Sequence, residues 1–200
     1  MEYQKMDFYE LKTWQKAKLF DQIIKNNFGE DFEVEKATYD SGFGVELEVE
    51  SYFDENIFSC QWVDSVESEV DGEYYRRING VRPGVRIDRM IKTKCGQYVG
   101  VELKAGKQKI GRALNQIIDY TNSSFWSIRN QEAVFFPEKG WMSTFPLSEQ
   151  LNGPLDSIVT QHRIARFTAD FSLMYGREVI ATKDDCKLKM RPPVRKVGSR

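Results

Sequence analysis

Asp88, Glu102 and Lys104 have the types and the spacing to form a divalent-metal site with a charge stabiliser beside it. The argument is geometric. Gly84–Asp88 and Val99–Lys104 alternate with period 2: Val85 and Ile87 point one way and Arg86 and Asp88 the other, while Val99, Val101 and Leu103 oppose Gly100, Glu102 and Lys104. Thr93-Lys94-Cys95-Gly96 reads as the turn between two strands. A hairpin folded about Cys95 sets Asp88 opposite Glu102, with Lys104 two residues further on the same polar face and the small Gly100 behind them. Two carboxylates attract a hard cation, and an ammonium next to them can orient a water or stabilise developing negative charge.

The elements that position these groups are legible nearby. Ile110, Ala113, Leu114, Ile117, Ile118 and Thr121 repeat at helical spacing and predict an amphipathic helix with one buried stripe. Lys109, Arg112, Gln116 and Tyr120 form a second line along its flank, placing two cations, an amide and a phenol beside the carboxylates. Such a row suits a phosphodiester backbone.

In this order, Gly84-x-x-x-Asp88, Glu102-x-Lys104 and Gln116-x-x-x-Tyr120 resemble the PD-(D/E)XK nuclease superfamily, in particular its RecB-like exonuclease branch. The resemblance covers about a fifth of the chain and implies an α/β (α+β) restriction-endonuclease-like core, with a mixed central sheet flanked by helices. It implies that Asp88 and Glu102 hold Mg²⁺ or Mn²⁺ with the backbone carbonyl of Leu103, and that Lys104 orients the attacking water. Gln116 and Tyr120 supply the QxxxY element. Lys109 and Arg112 then become substrate-binding residues, and the expected activity is metal-dependent hydrolysis of DNA, as an exonuclease leaving 5′-phosphates. Two departures stand out: Ile87 occupies the place of the motif proline, and no histidine precedes Asp88, His162 being the one histidine of the chain. Cys60, Cys95 and Cys186 lack the number and pairing for an iron–sulfur cluster.

With 200 residues, 40% of them apolar, the chain suits one decorated domain over residues 1–186, its catalytic core at about 75–137. No run of about 18 apolar residues predicts a membrane span, and the charged start MEYQKMDFYE does not read as a secretory signal. Three scattered cysteines fit a reducing, cytoplasmic interior. The net charge of −1 conceals an asymmetry: Glu30–Glu73 holds fifteen acids and one base, whereas Arg76–Arg112 holds eleven bases and two acids, Asp88 and Glu102.

The flanks are read by periodicity. Residues 7–28 predict a helix, on which Glu10 is an extra acid left outside the site. Phe32–Glu35, Val45–Glu50 and Phe58–Trp62 alternate like strands, with turns at Ser41-Gly42 and Asp54–Asn56, an acidic β-rich elaboration. Its row of carboxylates is a solvated face, a wall that repels DNA, or a dock for a basic protein partner. Ala133–Phe136 predicts a buried strand, Glu138–Pro154 a loop, and Ser157–Met174 another helix. Phe125 and Trp126 are core residues or base-stacking platforms. Lys187–Arg200, with six bases and no acid, reads as a flexible tail. Two other classes stay open: a nucleic-acid-binding module that cuts nothing, and an interaction protein whose acidic stretch mimics DNA.

Overall fold

The computed structural model describes residues 38–40, 42–74, 81–136, 140–145, 164–168, 170–175 and 178–186. The expected helix over 7–28 with Glu10, the strand at 32–35, His162 and the 187–200 tail lie outside these residues. The described part is mixed α+β, organised on a six-stranded sheet. In chain order the elements are β1 (Thr38–Asp40), α1 (Glu46–Ile57), β2 (Val63–Tyr74), β3 (Gly84–Thr93), β4 (Tyr98–Leu103), β5 (Lys107–Lys109) and α2 (Ile110–Thr121). They continue with β6 (Ser123–Ser127), β7 (Glu132–Phe135), β8 (Gly140–Phe145), β9 (Arg166–Phe167), β10 (Leu173–Tyr175) and β11 (Glu178–Ala181). The large sheet runs β7-β6-β2-β3-β4-β8; β1 pairs with β5, and β9 to β11 form a small sheet. Neighbours in the large sheet are antiparallel except β4 and β8, which run parallel across the connection that contains α2.

The β3–β4 hairpin keeps the expected register. Arg89 faces Val101, Met90 faces Gly100 and Lys92 faces Tyr98, and Gly96, at φ +80°, closes the turn that Gly96 N–H makes to the Thr93 carbonyl. All of β4 is buried, because it is covered on both faces. On one side Val49, Phe53 and Ile57 of α1 share a core with Ile91, Val99, Val101 and Leu103, closed by a cluster of Phe53, Phe145, Phe167 and Phe171. On the other, Ala113, Ile117 and Ile118 of α2 are buried, and Tyr120, Phe125 and Phe136 pack edge to face.

Several expectations change. Val45–Glu50 is not a strand and Asp54–Asn56 is not a turn; both belong to α1 or its cap, because Val49, Phe53 and Ile57 recur every fourth residue and so share one face of a helix. Alternation over six residues could not separate the two periods; Leu47, the apolar residue that made it look strand-like, is 71% exposed. Phe58–Trp62 is the turn after α1, and β2 begins at Val63 as an interior strand. In its described residues the acidic stretch is therefore not a β-rich elaboration: beside the short β1 it supplies a helix over the sheet and one of its central strands. Gly140–Phe145, expected in a loop, is β8. Here Gly140 serves close approach, since a Cβ on it would lie 1.8 Å from the Tyr98 carbonyl oxygen. Within Ser157–Met174, the described residues form β9 and the start of β10, not a helix. The sheet thus draws strands from both sides of the 75–137 stretch.

The charge asymmetry has a structural use. Arg89, with its side chain 5% exposed, bonds Asp54 at 2.8 Å and Glu50 at 3.2 Å, tying α1 to β3. Arg86 pairs with Glu69 and Arg82 with Glu73. Glu67 accepts hydrogen bonds from Ser127, Asn130 and the Arg129 amide, and Glu48 caps α1 by accepting from the Gly44 and Val45 amides. Much of the acidic row is therefore engaged within the fold.

Candidate functional site

Asp88 lies where the backbone ladder of the hairpin stops. The last paired residues are Arg89 and Val101, and the Leu103 amide donates instead to Asp88 Oδ2 at 2.7 Å. A carboxylate replaces a backbone acceptor there. Glu69, across the sheet from this point, takes a positive φ of 50°. The alternation also changes: the end of Ile87 sits 2.6 Å from where a Cβ on Gly100 would be, beside Met142 and Phe136. Gly100 is thus part of an apolar contact and not of an open polar face, because Ile87 crosses to its side of the sheet.

Glu102 lies near the end of β4 and Lys104 just after it, beside α2. Lys104 Nζ donates to Glu102 Oε1 at 2.5 Å and to Gln116 Oε1 at 3.0 Å. Gln116 Nε2 donates to the same Glu102 oxygen at 2.6 Å and to the Tyr120 hydroxyl at 2.7 Å. One amide therefore links the acid, the ammonium and the phenol. This is possible because α2 presents Arg112, Gln116 and Tyr120 at intervals of four. Lys109 lies just outside the helix, which begins at Ile110; it ends β5 in register with Thr38. Tyr120 is buried and edge to face with Phe125, so its ring packs and only its hydroxyl reaches the network. Of the aromatic pair after α2, Phe125 is core and Trp126 is 54% exposed.

The electrostatics are those of two acids sharing a dry corner. Burial, and then the charge of Asp88, push the Glu102 carboxyl up to about 7. Burial also raises Asp88, against the Leu103 amide and the cations Lys104 and Arg89, which lower it. Tyr120 is raised by burial and by the Glu102 charge.

A cavity of about 460 Å³ opens here, bordered by Glu102, Leu103, Lys104, Arg112 and Gln116 and, from α1, by Glu46. Glu102 Oε2 is buried and accepts no hydrogen bond. A desolvated carboxylate oxygen without a donor is costly, a cost that a proton or a cation there would relieve. The donor set fits a hard divalent ion that keeps several waters: two carboxylates, with the Leu103 main chain between Glu102 and Lys104. Among the described residues no three His, Cys, Asp or Glu side chains converge into an all-protein metal cage.

Two contributors escape a reading by motif. Glu46 reaches the cavity from the first turn of α1; the Val49-Phe53-Ile57 spacing was the signal that could have put it on a helix. Thr144 Oγ donates to the Glu102 carbonyl at 3.0 Å from the parallel strand β8, and a contact made by strand pairing across 42 residues leaves no local trace in the sequence. Comparison with protein-family models, with curated proteins and with solved structures found no match.

Proposed function

We propose that the chain is a divalent-metal-dependent nuclease of the PD-(D/E)XK type that hydrolyses DNA phosphodiester bonds, as an exonuclease leaving 5′-phosphates. The observation that carries this reading is the unpartnered, buried Oε2 of Glu102, next to Asp88 and the Lys104–Gln116 pair, at the wall of a polar cavity. Asp88 and Glu102 would hold Mg²⁺ or Mn²⁺, with the Leu103 carbonyl as a neutral ligand. The ion supplies Lewis acidity and an acidified water. The protein's own groups do the rest. Lys104 is held by Glu102 and Gln116, so its ammonium is preorganised to face the scissile phosphate and to stabilise charge that grows in the transition state. Gln116 keeps the Glu102 oxygen and the Lys104 nitrogen in one geometry, and Tyr120 backs the amide. Arg112, exposed on the cavity wall, meets a neighbouring phosphate.

The test is degradation of linear, circular and single-stranded DNA in Mg²⁺ and in EDTA. Metal-dependent loss of DNA supports the reading; degradation of linear but not circular substrate identifies an exonuclease. DNA retained on the protein and left intact in Mg²⁺ would make the chain a binding module, and neither binding nor cleavage would overturn both.

A further inference from the structure

We infer that Glu46 is a specificity-determining residue, whose carboxylate holds off a second phosphate backbone so that the cavity takes single-stranded DNA. The inference rests on the nuclease reading and deepens it. The cavity lining carries both signs. Arg112 comes from α2 and Lys104 from the residue after β4, where it is paired with Glu102; Glu46 comes from the first turn of α1. That helix carries five acids, Glu46, Glu48, Glu50, Asp54 and Glu55, and no base. Glu48 caps it, Glu50 and Asp54 hold Arg89, Glu55 is exposed, and Glu46 borders the cavity.

The dimensions decide what Glu46 can do there. The cavity, about 460 Å³ and open to solvent, is of the size that takes a small ligand group. The second backbone of a duplex lies across a groove roughly 6 to 12 Å wide. With one strand against Arg112 and Lys104, a complementary strand would bring further phosphates to the same cavity, whose lining includes Glu46. A single strand brings none. Glu102, 4% exposed, lies low enough that a phosphate has to enter the cavity to reach it, which a flexible single strand does more readily than a stiff duplex. Glu46 does not belong with the metal-holding pair, since no third carboxylate converges on Asp88 and Glu102 among the described residues.

The experiment uses the full chain, a labelled oligonucleotide alone and annealed to its complement, and the variants Glu46→Gln and Glu46→Lys. Cleavage is read in Mg²⁺ and affinity in Ca²⁺, at one low salt concentration, with calorimetric Mn²⁺ titration alongside. The wild type prefers the single strand. Glu46→Gln shifts the duplex-to-single-strand ratio about tenfold towards the duplex, Glu46→Lys shifts it further, and Mn²⁺ affinity does not change, as expected for relief of a like-charge contact. An unchanged ratio overturns the inference. So does loss of both activities with weakened Mn²⁺ binding, which would make Glu46 a ligand. Should the wild type bind DNA in Ca²⁺ but cut nothing in Mg²⁺, the nuclease reading fails, and the shift in binding ratio still decides the role of Glu46.

Discussion

Glu102 concentrates opposing demands in one side chain. Its carboxyl is raised from 4.5 to about 7 by burial and by Asp88, so the folded, metal-free protein holds a proton that the unfolded chain releases near pH 4.5. The sign follows: this group's contribution is complete below about pH 4.5 and is lost as the pH rises through about 7, by about 3 kcal/mol. Glu102→Gln removes the titration and also the pairing with Lys104. Thermal melts in EDTA should therefore show the variant gaining relative to wild type between pH 5 and pH 8. A constant difference across that interval would mean Glu102 is not held as a buried acid. The same substitution, and Asp88→Asn, should each weaken Mn²⁺ binding in calorimetry, because each removes an anionic ligand from a hard-cation site; wild-type affinity in Asp88→Asn would remove that residue from the pair. Lys104→Ala should leave Mn²⁺ affinity near normal and lower turnover about 10²-fold, since its charge matters most in the transition state. Near-normal turnover would reduce Lys104 to a partner of Glu102.

The element that carries these residues is β4, and it is fixed from both sides. The hairpin with β3 fixes its register, and β8 fixes its far edge through the Tyr98↔Gly140 to Leu103↔Phe145 pairing. Gly140 is where that pairing starts, and an added Cβ meets backbone, which cannot rotate away. Gly140→Ala should accordingly force the two strands apart and cost about 2 kcal/mol or more, the scale of overpacking in a core. Urea titration measures this. A midpoint within error of wild type would show that the β8 edge does not hold β4 as described. The hairpin and α2 were legible in the sequence because their signals are local: a turn with Gly96, a period of 2, and then a period of 3.6. The β8 strand was not, because Gly140 and Pro146 are also the marks of a loop, and only a parallel partner gives Trp141–Phe145 something to be buried against.

Across the described residues, cations of the basic block are folded onto acids of the acidic one. Arg82, Arg86 and Arg89 meet Glu73, Glu69 and the Glu50–Asp54 pair, so these cations serve the fold. Arg112 is exposed at the cavity instead. If it contacts a phosphate, Arg112→Ala should lower the slope of log K against log salt by about 0.7–0.9, one released counterion per lost contact. DNA affinity in Ca²⁺ at several salt concentrations measures it, and an unchanged slope would return Arg112 to a solvated helix face. Among the described residues no helix is long and apolar enough to cross a membrane.

The sequence alone was sufficient to expect Asp88, Glu102, Lys104, Gln116 and Tyr120 near one another, as the structure has them, and for the hairpin register that sets Arg89 opposite Val101. Those follow from side-chain chemistry and from periodicities that need no distant partner. Tertiary structure decided the remainder. Val45–Glu50 became helix because Phe53 and Ile57, outside the alternating window, extend its apolar face over Val99 and Val101. Lys109 fell in a strand before the helix because β5 pairs with β1 through it. Glu46 joined the cavity, and Thr144 the Glu102 backbone, through contacts between segments far apart in the chain. Such contacts depend on which surfaces are buried together, and no short stretch of residues carries that information.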